Sequence, residues 1–130
     1  MASELDRLGA QRYVVLTTFR KDGTPVPTPL WAAADDTDLL VWTPRDSGKV
    51  KRIRRDGRVE VQASDFSGKK PEGPVVTGQA RLLDDEASDR VRSLIARKYG
   101  ITGRLVMFGS RLRGGRKRTL GIAVRLDEST

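Results

Sequence analysis

Three prolines at alternate positions, Pro25, Pro27 and Pro29, restrict how this chain can join a sheet. They lie in and beside a run from Val26 to Ala34 that is otherwise typical of a strand. Proline has no backbone N–H, and alternate residues of a strand direct their amides to the same side. That side cannot donate a regular ladder of hydrogen bonds. We therefore expect an edge strand, which either protects the sheet from pairing with other chains or presents its backbone to a ligand.

The remaining β-favouring runs are short and are separated by turn residues, which predicts an antiparallel sheet. Asp22-Gly23 between Tyr13–Phe19 and the proline-containing run is a hairpin signal, and Asp35–Thr37 makes the next turn before Leu39–Thr43. Three further strands are predicted over Arg58–Ala63, Val75–Leu83 and Thr119–Leu126. About six strands with short turns are typical of a closed or nearly closed antiparallel barrel, so we expect a mainly β fold with two or three short helices.

Two helices are predicted with most support, and their first turns carry opposite charges. One opens with three acids at 84–86 and stops at Gly100, so its acids lie at the end of the helix dipole that favours them. The other begins near Ser47, and its first turns carry the cations Lys49, Lys51 and Arg52. Exposed amides at a helix start attract anions, so cations there predict a bound phosphate or carboxylate. A solvated basic helix that tolerates the mismatch, at about 0.3–1 kcal/mol per charge, is the alternative.

Composition excludes most forms of catalysis by the protein itself. The 130 residues, which we assign to one domain, contain no cysteine and no histidine. Thiolate nucleophiles, histidine bases, catalytic triads and nearly all zinc or iron sites are therefore excluded. The carboxylates are predicted in turns and at a helix start, and no glycine-rich phosphate fingerprint occurs, so a paired-acid hydrolase and the common nucleotide-binding folds lack support. Any redox or group-transfer chemistry has to be carried by a cofactor.

The net charge of +8 favours a polyanionic partner, which can be nucleic acid, anionic lipid or a multiply charged cofactor. Residues 101–118 contribute to this charge without a single acid, and we expect them to form a mobile or ligand-ordered segment. Their cations are Arg104, Arg111, Arg113, Arg116, Lys117 and Arg118. The sequence has no signal-peptide pattern and no apolar run long enough to span a membrane, so we expect a cytoplasmic protein.

The order of several short segments resembles the flavin-binding split-barrel superfamily. The segments are TTFRKDGTP at 17–25, TPLW at 28–31, SGKVKRIRRDGRV at 47–59, GQAR at 78–81 and GRL at 103–105. The resemblance extends from Leu8 to Leu126. The branch to which the chain is most similar is that of the actinobacterial F420-dependent enzymes of the pyridoxamine 5'-phosphate oxidase class. It implies a six-stranded antiparallel split barrel that forms a single domain over residues 1–130.

The resemblance also implies a homodimer with two cofactor sites at its interface, each completed by the partner subunit. In such proteins the segment that corresponds to Ser47, Lys49 and Lys51 grips the cofactor phosphate, and the strand that corresponds to residues 28–31 flanks the ring. No catalytic residue and no metal ligand are assigned, because the cofactor carries the chemistry. The cofactor-binding residues expected from these arguments are Thr28, Pro29, Leu30, Trp31, Thr43, Ser47, Lys49, Lys51, Arg52 and Arg55.

Together, these expectations predict an F420-dependent reductase that transfers a hydride from the reduced deazaflavin to an unsaturated small molecule. The coenzyme suits the charge of the chain because it carries a phosphodiester and an oligoglutamate tail, whose path the cations at 104–118 would line. FMN is the alternative cofactor. Two rival functions stay open: a non-catalytic protein that binds F420, FMN or a tetrapyrrole, and a basic nucleic-acid-binding module. The second is disfavoured because the basic segments largely lack interleaved aromatic residues on which bases stack.

Overall fold

The computed structural model describes residues 4–64, 71–112 and 119–127. Within these ranges the chain forms three helices, α1 (Glu4–Gly9), α2 (Gly48–Arg55) and α3 (Asp85–Leu112). The strands are β1 (Tyr13–Phe19), β2 (Pro25–Leu30), β3 (Ala32–Ala34), β4 (Leu39–Pro44), β5 (Arg58–Ser64), β6 (Glu72–Leu82) and β7 (Thr119–Leu126). The mainly β fold class is confirmed.

The seven strands of the described chain form one antiparallel sheet in the order β2-β1-β5-β6-β7-β4-β3. Its two edge strands, β2 and β3, are consecutive in the chain, and Trp31 is the single residue between them. The sheet therefore curls until its edges come close, which gives a half-barrel. The run predicted as one strand, Val26–Ala34, is divided at Trp31, because its first part pairs with β1 and its last part pairs with β4. This division accounts for a seventh strand where six were expected.

The proline-containing strand lies at the edge of the sheet, as predicted. In the described chain β2 pairs with β1 alone, and Pro25, Pro27 and Pro29 face Phe19, Thr17 and Val15 across this ladder. Since the ladder with β1 forms, the amides that the prolines lack are those that would face away from it. The outer side of β2 is therefore a poor template for a further strand.

The interior of the half-barrel is filled by alternate residues of the strands and by the apolar side of α2. Val14 and Leu16 of β1 are buried there, and Val50 and Ile53 of α2 join the same cluster. These two residues are three positions apart, so they lie on one side of the helix, which faces the interior. Because α2 buries its two apolar residues, the remaining lysines and arginines of this helix lie at or near its surface.

A second apolar cluster lies between α3 and the outer face of β3, β4 and β7. It contains Ala33, Leu40, Val91, Ile95 and Ala123, with Trp31 and Trp42 packed against it. Both tryptophans therefore contribute to the core, as is typical of aromatic residues. α3 thus covers the outer face of β3, β4 and β7.

α3 consists of two helical segments joined by a kink at Gly100, where φ is 65° and ψ is −138°. The predicted helix does end at this glycine, which can adopt a left-handed φ without strain. The backbone then resumes a helix over 101–112, which the sequence did not predict. That this segment is mobile or ordered by a ligand stays a prediction. Residues 113–118 lie outside the described residues. Within the described ranges, none of the helices combines the length and the apolar character that crossing a membrane requires.

The turn between β3 and β4 is tied to the sheet by Asp38, whose side chain is 4% exposed. Arg81 Nη2 donates to Asp38 Oδ2, and Arg125 Nε donates to Asp38 Oδ1, both at 2.8 Å. Burial alone would raise the pKa of Asp38, but the hydrogen bonds from the two arginines outweigh it and hold the pKa below its usual value. The carboxylate is therefore charged and stabilising at neutral pH.

We expect Asp38→Asn to lower the free energy of unfolding at neutral pH by about 1.5–3 kcal/mol, because it removes a charged acceptor from two hydrogen bonds. The carboxylate's contribution is complete above the unfolded-state pKa of about 3.9 and is lost as the pH falls through the lower folded-state pKa. Urea denaturation of both proteins from neutral to acidic pH measures the difference, with the exposed neighbour variant Asp36→Asn as the control. A difference that does not shrink in acid would contradict this account.

Candidate functional site

α2 begins without the usual side-chain cap. Ser47 occupies the N-cap position with an extended backbone, φ −69° and ψ 158°, yet its hydroxyl makes no capping hydrogen bond. Its Oγ atom is buried and has no hydrogen-bond partner among the described residues. An unsatisfied buried hydroxyl costs free energy, and a bound ligand is one way to satisfy it. Ser47 therefore offers an unused hydrogen-bonding group at the start of this helix.

A second buried hydroxyl of this kind lies close before α2 in the chain. Thr43 of β4 is 0% exposed, and its Oγ1 also has no partner in the described part of the chain. The Ser47 amide donates to Pro44 O at 3.2 Å, so the backbone turns tightly from β4 into α2 between the two hydroxyls. Thr43 and Ser47 were both predicted as cofactor-binding residues. That their hydroxyls are unsatisfied follows from packing, which the sequence does not reveal.

Cations occupy the start of α2 where acids would be favoured. The first turn contains no acid. The Arg52 guanidinium folds back towards the helix start, since a Cβ built on Gly48 would lie 2.8 Å from Arg52 Nη1. Burial, and then the charge of Arg52, lowers the pKa of Lys49, which is half-buried. Two positive groups are thus held near exposed helix amides in a partly dehydrated place.

Two hydrogen bonds fix the arginines of α2 against β1. Arg52 Nε donates to Thr18 Oγ1 and Arg55 Nη2 donates to Phe19 O, each at 2.6 Å. Burial, followed by the charges of Arg20 and Arg55, lowers the pKa of Arg52. Neither Arg52 nor Arg55 forms an ion pair with another described residue. Arg55 lies at the C-terminal end of α2, where the helix dipole favours a cation. Lys49 and the Arg52 guanidinium instead lie near the start of α2 with no acid in the first turn, which is the condition that favours a bound anion.

Lys51 is placed differently from the other predicted phosphate ligands. Its side chain is exposed, and its ammonium makes no hydrogen bond or ion pair within the described residues. Its amide donates to Ser47 O at 3.4 Å in the first turn of the helix. The structure thus brings Lys49 and Arg52 together near the start of α2 and leaves Lys51 on the solvent side.

β2, the strand predicted to flank the cofactor ring, begins beside the residues of β1 that bond Arg52 and Arg55. Thr18 and Phe19, which accept the arginine hydrogen bonds, pair with Val26 and Pro25 at the beginning of β2. β2 then runs along the sheet edge for six residues, so that Pro25 and Trp31 lie about 20 Å apart. The predicted phosphate and ring segments therefore lie side by side along one edge of the half-barrel.

The residues predicted to flank the cofactor ring differ in how exposed they are to solvent. Thr28 and Leu30 are half-buried and Pro29 is exposed. Trp31 is not a free aromatic surface, because its indole stacks on the Tyr99 ring with centroids 4.4 Å apart and planes 10° apart. One face of the indole is thus covered by α3. The sequence did not single out Tyr99, which lies just before Gly100 in the helix predicted from 84.

The family model for pyridoxamine 5'-phosphate oxidase matches residues 3–122 of the chain. The chain belongs to that family. This family member is similar in structure to a conserved hypothetical protein from Mycobacterium tuberculosis, with 24% identity and a TM-score of 0.74 over 98% of this chain and 82% of that chain.

Two further solved structures share the fold of this family member. One is an F420 reductase, with 18% identity and a TM-score of 0.61 over 98% of this chain and 96% of that chain. The other is the heme storage protein HutZ from Vibrio cholerae, with 13% identity and a TM-score of 0.65 over 99% of this chain and 93% of that chain. At these identities the likeness concerns the fold alone. None of the curated proteins matches the chain.

We expect the unsatisfied hydroxyls to be dispensable for folding. Ser47→Ala should cost less than the usual ~1 kcal/mol for loss of an N-cap, because no capping bond is lost. Thr43→Val should leave the free energy of unfolding unchanged or raise it, since a methyl group replaces a buried hydroxyl without a partner. Urea denaturation of the ligand-free protein measures both, with Thr18→Val, which removes the acceptor for Arg52, as a variant expected to be destabilised. A clear loss of stability in Thr43→Val would show that its hydroxyl is bonded in solution.

Proposed function

We propose that this protein is a cytoplasmic F420-dependent reductase that binds the deazaflavin coenzyme at the start of α2 and along β2. The proposal is carried by one observation, the unbalanced positive charge at a helix start where the Ser47 and Thr43 hydroxyls have no partner. A phosphate group supplies both the negative charge and the hydrogen-bond acceptors that such a place lacks. The order of the sequence segments that resemble the deazaflavin branch supports the same assignment.

In this proposal the protein binds and orients the coenzyme and provides no nucleophile. The phosphate would be held by Thr43, Ser47, Lys49, Lys51, Arg52 and Arg55, and the ring would lie along Thr28, Pro29, Leu30 and Trp31. The bound coenzyme would supply the carbon that gives or accepts the hydride. The exposed edge of β2, which has no strand on its outer side in the described chain, would leave backbone carbonyls free to accept hydrogen bonds from a flat ring. A chain without histidine or cysteine needs a cofactor of this kind.

The charge of the chain favours the deazaflavin coenzyme over FMN. Both carry a phosphate and a flat tricyclic ring, so both suit the residues at α2 and β2. The net charge of +8 adds an attraction for an oligoglutamate tail that FMN lacks. An F420 reductase is among the proteins that share this fold, which supports the proposal at the level of the fold. The side chains of the basic residues at 104–118 lie outside the described residues, so a tail path along them stays a prediction.

We expect Lys49→Ala and Lys51→Ala to weaken coenzyme binding more than they weaken folding. A charge-assisted hydrogen bond to phosphate contributes roughly 1.5–3 kcal/mol, so each loss corresponds to at least about a tenfold rise in Kd. Lys49 should have the larger effect, since it is the more buried of the two. Coenzyme titrations followed by tryptophan fluorescence measure Kd, and thermal unfolding of the same variants measures stability. Wild-type affinity in both variants would remove the phosphate assignment.

The matched control is Lys21→Ala, which removes an exposed lysine from the turn between β1 and β2. It changes the net charge equally and should leave Kd almost unchanged. The titration compares F420, a deazaflavin without the glutamate tail, and FMN at two salt concentrations. Preference for the tailed coenzyme that declines with salt supports the deazaflavin, because exposed charge pairs are screened over about 8 Å at physiological ionic strength. Tighter binding of FMN than of either deazaflavin would move the protein to the flavin branch.

A non-catalytic binding protein is the second candidate, and one comparison favours it. HutZ, a heme storage protein, shares the fold over 99% of this chain. The two functions use the same binding residues, so affinity alone does not separate them. Steady-state turnover separates the two functions, when reduced coenzyme is offered quinones, enones and tetrapyrroles as acceptors. Turnover supports the reductase, and tight binding without turnover of any acceptor supports storage or sequestration.

The proposed site would be completed by a second copy of the chain. α3 packs against β3, β4 and β7, whereas α2 meets β1 and β6 through residues of the interior cluster. The outer face of β2, β1, β5 and β6 is therefore not covered by a helix in the described chain. Val75, on the outward side of β6, is 51% exposed. The family resemblance implies a homodimer, and we place its interface on this uncovered sheet face, which carries β2 at its edge and the exposed Val75 on β6.

We expect the wild-type protein to sediment as a dimer at micromolar concentration and Val75→Arg to shift it towards the monomer, because a charge would be buried in an apolar contact. Analytical ultracentrifugation measures the mass of both. Coenzyme affinity should fall together with the dimer fraction. A monomeric wild type that binds the coenzyme with full affinity would rule out a shared site, and a dimer unaffected by Val75→Arg would place the interface elsewhere.

A further inference from the structure

Two adjacent residues of α3 hold the point where the chain passes from one sheet edge to the other. The Ala32 amide, at the start of edge strand β3, donates to Tyr99 Oη at 3.1 Å. Tyr99 Oη in turn donates to Arg12 O at 2.7 Å. The Lys98 ammonium donates to Gln11 O at 2.6 Å and also to Ala32 O. Polar groups of β3 that face away from β4 are thus satisfied by side chains instead of by another strand.

The same tyrosine fixes the aromatic residue that precedes Ala32. The Tyr99 ring stacks on the Trp31 indole, and both side chains are half-buried. The Lys98 ammonium lies over the Tyr99 ring, 5.0 Å from its centre. The stack and the hydrogen bonds restrain Trp31 through its ring and through its neighbouring peptide. An aromatic side chain held at both points has little freedom to rotate.

This restraint has a geometric consequence for any planar ligand at β2. Because Tyr99 covers one indole face, a ligand ring can meet only the opposite face or the edge of Trp31. The side from which the ring approaches is therefore decided by a residue of α3 that itself lies outside the predicted cofactor site.

We propose that Tyr99 is a positioning residue for the coenzyme ring: it holds Trp31 in the orientation that lets the indole contact the ring along β2. This inference rests on the proposed function. It predicts that the aromatic ring of Tyr99 matters for coenzyme affinity and that its effect passes through Trp31. The hydroxyl of Tyr99 supports the strand edge and has a smaller part in ring binding.

The test measures coenzyme Kd and Trp31 fluorescence in a Trp42→Phe background, where Trp31 is the sole remaining tryptophan of the two. Tyr99→Phe keeps the stack and should bind F420 nearly as the parent does. Tyr99→Leu removes the stack and should raise Kd by roughly three- to tenfold, with a red-shifted and more mobile Trp31 emission. Tyr99→Met, whose flexible side chain fills similar space, is measured beside it so that poor folding of one variant does not decide the result.

A double-mutant cycle separates positioning from general destabilisation. For this cycle Kd is measured by titration calorimetry, because the Trp31→Leu variants lack the fluorescent reporter. If Tyr99 acts through Trp31, Tyr99→Leu should have no further effect on Kd once Trp31→Leu is present. Tyr13→Phe, at the other tyrosine of the chain, is the control for loss of a phenol hydroxyl. Additive effects of Trp31→Leu and Tyr99→Leu, or wild-type affinity in Tyr99→Leu and Tyr99→Met, would overturn the positioning role.

Lys49→Ala distinguishes this failure from failure of the proposed function. If Lys49→Ala weakens coenzyme binding while the Tyr99 variants do not, the coenzyme site stands and the role of Tyr99 is refuted. If the parent protein binds neither F420, nor the tailless deazaflavin, nor FMN, the proposed function and the positioning role are both refuted. The expected pattern is weaker binding in Lys49→Ala, Tyr99→Leu and Tyr99→Met, with the Trp31 emission altered in the two Tyr99 variants and unchanged in Lys49→Ala.

Discussion

The closure of the half-barrel depends on how its two edges are satisfied. β2 and β3 are the two edge strands of the sheet, yet Trp31 alone separates them in the chain. A flat sheet would place its edges far apart, so this short connection requires the sheet to curl. The two edges are protected by different means. On β2 the prolines lack the amides that another strand would use, and on β3 the Ala32 peptide is bonded by Lys98 and Tyr99. The junction at Trp31 therefore sets the curvature, while each of the two edges that it joins is protected by its own chemistry.

The starts of α2 and α3 carry opposite charges. At the start of α3, Asp84 caps the helix by accepting the Ala87 amide at 2.8 Å, and acids follow in the first turn. At the start of α2 there is neither a side-chain cap nor an acid. Because α3 shows that this fold tolerates a conventional helix start, the arrangement at α2 is not forced by the architecture. It leaves the Ser47 hydroxyl without a partner at the helix start that also carries Lys49, which is the strongest reason to assign a ligand there.

Local chemistry explains which parts of the fold were predictable. Asp22-Gly23 gave the first hairpin because the turn needs a positive φ, which Gly23 adopts at 93°. The alternation of Val59, Val61 and Ala63 gave a strand with one buried face. The break at Trp31 was not predictable, because no residue there disfavours a strand and the division arises from closing the sheet. The helix over 101–112 was missed because a glycine commonly ends a helix, whereas Gly100 only changes its direction.

The residues of the candidate site also fall into two groups, those that a sequence pattern marks and those that only the packed structure reveals. Lys49, Ser47 and the residues of β2 were predictable because a charge pattern and a proline pattern mark them in the sequence. Tyr99 was not, since it reaches Trp31 only after α3 has packed across β3 and β4. The unsatisfied state of Thr43 and Ser47 is likewise a property of the packed protein. Sequence patterns marked the groups that attract a ligand, and the tertiary structure determined which of them are restrained or left without partners.

The kink at Gly100 sets the course of the C-terminal segment of α3. No atom lies within 4 Å of a Cβ built on this residue, so glycine is required there by backbone conformation and not by crowding. The direction of residues 101–112 is thus fixed by one pair of dihedral angles. Because an L residue would be strained at this positive φ, a substitution of this single uncrowded glycine would change the direction of the whole segment.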